Sequence, residues 1–143
     1  MKRFKIDKRG DWYWEDEEIS HPEIKRYLLS LIEKKDNGIW INNGIEKFAV
    51  DVEETPFFVE AIREKEDKLK IILNDQTEET LDLTSLRFAK DNSLWCKIKN
   101  GKFEAKFTLS AFWQLMEYLV EEEGKFYLKI KDRKYPLKPT NKK

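Results

Sequence analysis

The sequence predicts an α+β fold: two repeated β-β-α-β-β units around an antiparallel sheet, with a central three-strand meander. Three observations predict it. Two amphipathic helical stripes stand 88 residues apart, Ile24 matching Phe112. Short alternating segments rich in aromatic and β-branched residues flank each stripe on both sides. Clusters of Gly, Asn and Asp separate those segments, as tight turns require. The expected organisation is an N-terminal repeat unit at 1–55, the meander at 56–92 and a C-terminal repeat unit at 93–143, together one compact structural unit.

Taken in order, 4–6 and 12–14 read as strands joined by a turn at Arg9-Gly10. Ser20 with Glu23 forms a capping box, and Pro22 is tolerated in a first turn. Ile24, Tyr27, Leu28, Leu31 and Ile32 then make one apolar helical stripe, which Asp36-Asn37-Gly38 ends. Strands follow at 39–41 and 47–52 around the turn Asn42-Asn43-Gly44. The meander strands are 57–64, 69–73 and 80–83. The second unit runs through strands 94–99 and 102–107 to a helix capped by Thr108 or Ser110. That helix carries Phe112, Leu115, Met116, Leu119 and Val120 on one face, and Gly124 stops it. Strands 126–130 and 134–137 complete the unit. Residues 139–143 read as a frayed tail.

The flanks support a duplication. Each helix is preceded by a turn glycine and an aromatic strand, and followed by Gly-x-aromatic (Gly38-Ile39-Trp40 and Gly124-Lys125-Phe126). Phe48 then aligns with Tyr135, and Glu46 with Arg133.

Composition excludes several functions. Charged residues make up 39% and aromatic residues 13%, which indicates a compact core under a charged surface rather than a disordered chain. Basic and acidic residues balance at 28 each, so there is no global pull toward nucleic acid or membrane. The distribution is uneven: residues 51–82 hold eleven Asp and Glu against four Lys and Arg, whereas 125–143 hold eight Lys and Arg against Asp132. That pattern allows electrostatic complementarity within the chain or across a homodimer. Cys96 is alone and reads as a buried structural thiol. No signal peptide and no apolar membrane span is read, so a cytoplasmic location is the expectation. The single His21, without a Cys pair or a second histidine, gives no zinc spacing, and no glycine-rich phosphate loop exists. No cofactor is expected.

At several segments the chain resembles a family. Gly10-Asp11-Trp12-Tyr13, Ile19-Ser20-His21-Pro22, Gly44-Ile45-Glu46-Lys47 and above all Val50-Asp51-Val52-Glu53-Glu54-Thr55-Pro56-Phe57 look like the bacterial domain-of-unknown-function 1285 family. The resemblance spans nearly the whole chain and departs in the lysine-rich C-terminal third. It implies an α+β fold with repeated motifs and no activity; a signalling role is conjecture.

The acidic strand is the candidate site. Phe48, Val50 and Val52 face one way; Lys47, Asp51 and Glu53 face the other. Glu46 and Glu54 close the apolar-facing register, where a carboxylate needs a partner or must neutralise; the plainer reading is a salt bridge that closes the fold, and a cationic partner is expected for Glu46. Thr55-Pro56 presets a fixed loop beside the sheet. The expected ligand-binding residues are Glu46, Lys47, Asp51, Glu53, Glu54, Thr55 and His21, with no catalytic and no metal residues. The leading expectation is a non-catalytic binding or regulatory module that takes an unknown small molecule or protein in a groove between the repeat units. The alternatives are a metal-assisted enzyme using Glu46, Asp51 and Glu54, or a structural homodimer subunit.

Overall fold

The computed structural model describes residues 2–137; the expected tail at 139–143 lies outside them. The chain is α+β and divides into two compact units, 1–57 and 58–143. Among the described residues it has two short α-helices, two six-stranded sheets and one three-stranded antiparallel sheet.

The first unit contains β1 (Phe4–Ile6), β2 (Trp12–Trp14), β3 (Glu17–Ile19), α1 (Pro22–Ser30), β4 (Ile32–Lys35), β5 (Gly38–Asn42) and β6 (Lys47–Val52). They form one sheet in the order β3-β2-β1-β6-β5-β4. The sheet is mixed, which corrects the expectation of an antiparallel one: β1 and β6 run parallel, with Phe4 opposite Val50 and Ile6 opposite Val52. Parallel neighbours need a long crossover, and the intervening strands with α1 supply it. Ile6 and Trp12 are almost fully buried, and Leu28, Leu29, Ile41 and Val50 complete this core. Phe4 stands 4.5 Å from Trp14 and 6.0 Å from Phe48, ring centre to ring centre.

Helix α1 is shorter than its stripe. It ends at Ser30, Leu31 caps it, and Ile32 opens β4 opposite Ile41. Leu31 and Ile32 satisfy the helical spacing, yet they sit where a strand begins immediately: the Leu31 carbonyl already accepts the Asn42 amide at 3.1 Å. Consequently Ile24 and Tyr27 are exposed while Leu28 and Leu29 are buried. Asp36-Asn37, expected to end the helix, is instead the two-residue turn of the β4–β5 hairpin, with φ of 52° and 63°. Both values match the mirror-image turn that twisted hairpins favour.

The second unit is entered along β7 (Phe57–Lys65). It holds β8 (Lys68–Leu73), β9 (Glu78–Thr80), β10 (Arg87–Phe88), β11 (Leu94–Ile98) and β12 (Phe103–Phe107), ordered β10-β11-β12-β7-β8-β9. The meander therefore shares a sheet with the strands that precede the second helix. Val59, Ile71, Leu73, Cys96 and Ala105 are fully buried within it. Then come α2 (Leu109–Met116), β13 (Leu119–Glu122), β14 (Lys125–Ile130) and β15 (Arg133–Pro136), the last three forming their own sheet. Again the helical stripe runs past the helix: Leu119 and Val120 lie in β13. Thr108, not Ser110, caps α2, its Oγ1 accepting the Ala111 amide at 3.1 Å.

The segments after the two helices pair in matching register. Ile32 faces Ile41 and Phe48 faces Ile41 on its other side; Leu119 faces Leu128 and Tyr135 faces Leu128. Each residue of the first set has its counterpart 87 positions later. The surroundings differ, because β6 continues into a larger sheet through β1, whereas β13-β14-β15 is a sheet by itself.

Candidate functional site

Strand β6 places the expected acidic residues along one edge of the β1–β6 ladder. Lys5 lies opposite Asp51, so the outward residues of β1 stand beside the carboxylates. Arg3 Nη1 contacts Asp51 Oδ1 at 2.8 Å, and Lys5 Nζ lies 3.5 Å from Glu53 Oε1. The Lys8 amide also donates to Glu53 Oε2 at 3.2 Å. Lys47 pairs with Glu33 at 3.7 Å. These side chains form a half-exposed ladder of alternating charge in which Lys47, Asp51 and Glu53 are already satisfied.

The other expected residues do separate tasks. Glu46 is exposed ahead of β6, and its amide donates to Asn43 Oδ1 at 2.8 Å. Its side chain makes no ion pair among the described residues, which corrects the expected cationic partner; the turn points it to water, where a carboxylate needs none. Glu54 is exposed just past the strand. Thr55 is buried, its Oγ1 accepting the Phe57 amide at 3.2 Å, so it fixes the loop. His21, not Ser20, is the N-cap of α1: Nδ1 accepts the Glu23 amide at 3.2 Å. Among the described residues no group of three His, Cys, Asp or Glu side chains is arranged to hold a metal ion. The carboxylates Glu46, Asp51 and Glu54 therefore do not converge.

A better-formed concavity lies in the second unit. The β7–β8 turn, Glu66-Asp67, approaches the β14–β15 turn, Lys131-Asp132, and Lys131 Nζ meets Asp67 Oδ1 at 2.5 Å. The Asp67 carboxylate holds the Lys131 ammonium above the usual lysine range. Beside this bridge is a cleft of about 390 Å³ bordered by Lys68, Ile130, Arg133 and Tyr135. It adjoins an apolar recess of about 180 Å³ floored by Leu69, Leu81, Leu83 and Ile130. Leu69, Leu81 and Ile130 are buried, and Tyr135 is half-buried. The cross-strand register sets Ile130 opposite Arg133 and Leu128 opposite Tyr135. All four side chains therefore lie on the same face of the small sheet. Arg133 is exposed and has no carboxylate partner among the described residues. A second cavity, of about 270 Å³, is lined by Ser93, Leu94, Phe107, Leu109 and Phe112.

Sequence reasoning passed over the cleft because 65–67 and 131–132 read only as turns. The available signal was the charge asymmetry between 51–82 and 125–143, of which Asp67–Lys131 is one realised pair.

The chain is similar in structure to a DUF1285 family protein from Silicibacter pomeroyi DSS-3, with a TM-score of 0.73 over 94% of this chain and 78% of that one, at 19% identity. The fold is that of the DUF1285 proteins. A second DUF1285 family protein, from Shewanella baltica OS155, matches with a TM-score of 0.68 at 17% identity, covering 82% of this chain and 92% of that one. No protein-family model and no curated protein matches the sequence. At such identity the likeness concerns the DUF1285 fold alone. No helix is long and apolar enough to cross a membrane among the described residues.

Proposed function

We propose that this DUF1285-fold protein is a non-catalytic binding module that takes a small molecule in the cleft between the β7–β8 and β14–β15 turns. The observation that carries this reading is the combination of an apolar floor, Leu69, Leu81 and Ile130, with a charged rim that includes the uncommitted Arg133. Ligand sites are characteristically concave and apolar, with few oriented polar groups. The acidic strand is better read as structure, since Lys47, Asp51 and Glu53 each already face an opposite charge within the first unit. The lone cysteine and the lone histidine are otherwise engaged. Cys96 is buried, with its thiol pushed up to about 12 by that burial, and His21 caps α1.

We further read the two helix-and-meander segments as copies of one ancestral unit. The constant spacing of 87 between their registers supports this, as does the matched bond from the residue-42 amide to carbonyl 31 and from amide 129 to carbonyl 118. A cytoplasmic regulatory role in a bacterium fits a binding module of this kind.

The test is a thermal-shift screen of metabolites and divalent metals, with turnover assays on every hit. Shifts without turnover support the reading. Metal-dependent turnover lost in Asp51→Ala overturns it in favour of an enzyme.

A further inference from the structure

We infer that the ligand of this cleft is a small organic anion: an apolar or aromatic body seated on Leu69, Leu81 and Ile130, with a carboxylate or phosphate head gripped by Arg133. The inference rests on the binding-module reading and specifies its ligand class.

The argument starts from the charges around the cleft. Three cations border it, Lys68, Lys131 and Arg133, and three carboxylates, Glu66, Asp67 and Asp132. These are not equivalent. Asp67 and Lys131 neutralise each other across the two turns. Glu66 and Asp132 occupy the turns themselves. Arg133 alone among the charged groups lies within β15 on the face it shares with Ile130 and Tyr135, as the Ile130–Arg133 pairing fixes. Strand alternation therefore sets its side chain on the cleft side of the small sheet, at the rim beside the apolar recess, and Lys68 borders both spaces as a second cation. A guanidinium matches carboxylate and phosphate oxygens two at a time, and it cannot lose its charge at neutral pH. It is the group around which an anionic head is recognised.

The apolar recess sets the other half of the requirement. Its floor is Leu69, Leu81, Leu83 and Ile130, with the Tyr135 ring beside them. A bare inorganic anion leaves that surface in water, whereas a ligand with an apolar body covers it. A neutral apolar compound covers the floor but leaves Arg133 bonded to water alone and so gains nothing from its charge. The ligand that satisfies both parts has an anionic head and an apolar body, and the 180 Å³ recess limits that body to the size of one ring or a short chain.

The test is amide-resolved NMR titration of the whole chain with benzoate, phenyl phosphate, benzamide and inorganic phosphate. Benzoate, phenyl phosphate or both should shift the amides of 67–69, 81–83 and 130–135. A response to one alone identifies the head as carboxylate or phosphate. Arg133→Gln should weaken that binding by about tenfold or more, and Arg133→Lys should restore it only in part because the fork is lost. Arg133 is exposed, so unchanged spectra elsewhere will show that the variants fold. Benzamide binding as tightly as benzoate overturns the anionic class while leaving the cleft a binding site. Inorganic phosphate matching phenyl phosphate overturns the apolar body. If none of the four probes moves these amides the inference fails, and the metabolite screen decides separately whether the binding-module reading survives.

Discussion

Arg87 holds Glu104 with two parallel hydrogen bonds, Nε to Oε2 at 2.8 Å and Nη2 to Oε1 at 2.9 Å. The pair reaches across β11, because Arg87 lies on β10 and Glu104 on β12. Its guanidinium also sits 4.9 Å from the centre of the Trp95 ring on the strand between them. Side-chain exposures of 14% and 32% leave the pair partly shielded from water. A forked charge-assisted contact in that setting is stronger than a surface ion pair. Arg87→Ala is expected to lower unfolding stability by about 1–3 kcal/mol. Arg87→Lys should recover little, since a lysine supplies neither the fork nor the flat stacking surface. Urea denaturation reads this as a lower midpoint at unchanged slope; an unaltered midpoint for Arg87→Ala would refute it.

Asp75 gives the fold an acid-sensitive contact. Burial pushes its carboxyl up, but hydrogen bonds from Thr77 and from Lys99 outweigh burial and hold it below the ordinary 3.8. The Lys99 ammonium lies 2.9 Å away, and the Asp75 side chain is 8% exposed. A carboxyl depressed in the folded state contributes stability that is fully present above 3.8 and is lost as pH falls through its lower folded value. Asp75→Asn should thus be less stable than the parent at pH 7, and the gap should close as pH falls below about 4. Thermal midpoints of both proteins across that range check the sign. A gap that is constant or widens toward acid would contradict it.

The Cys96 thiol is fully buried, and that burial with three nearby carboxylates pushes it up to about 12. Only the thiolate attacks alkylating reagents. Native protein at pH 8 should therefore resist iodoacetamide, and the same protein in denaturant should react completely. Rapid labelling of folded protein would show that β11 opens locally.

The sequence told more about order than about pairing. The hairpin turns were marked by their Gly, Asn and Asp residues, and most strands emerged from alternation. Helical spacing overextends both helices, at Leu31-Ile32 and at Leu119-Val120. An apolar residue at the seventh or eighth position fits a continuing helix and an abrupt strand equally well, and only the partner strand decides. The parallel contact of β1 with β6 was not legible because it joins residues about 46 apart with no local signal. For the acidic strand, alternation correctly set Phe48 and Val50 apart from Asp51 and Glu53, but not the cations opposite. Arg3 and Lys5 read only as a basic N-terminus. The cleft depends on two distant turns meeting, and no pattern within either one encodes that.

The ion-pair ladder on β6 yields the last prediction, one that separates structure from function. Arg3–Asp51 and Lys5–Glu53 leave each side chain between 42% and 55% exposed. At that exposure water competes for both partners, and such pairs are worth about 0–1 kcal/mol each. Asp51→Asn and Glu53→Gln should each shift the denaturation midpoint only slightly, and raising salt should shrink the difference further. Glu46→Gln should change nothing measurable, because its exposed carboxylate has no cation to lose. None of the three should alter binding of benzoate or phenyl phosphate at the cleft, since none borders it. If ligand binding collapses in Asp51→Asn while the denaturation midpoint stays put, the acidic strand is the binding site after all and the assignment to the β14–β15 cleft is wrong.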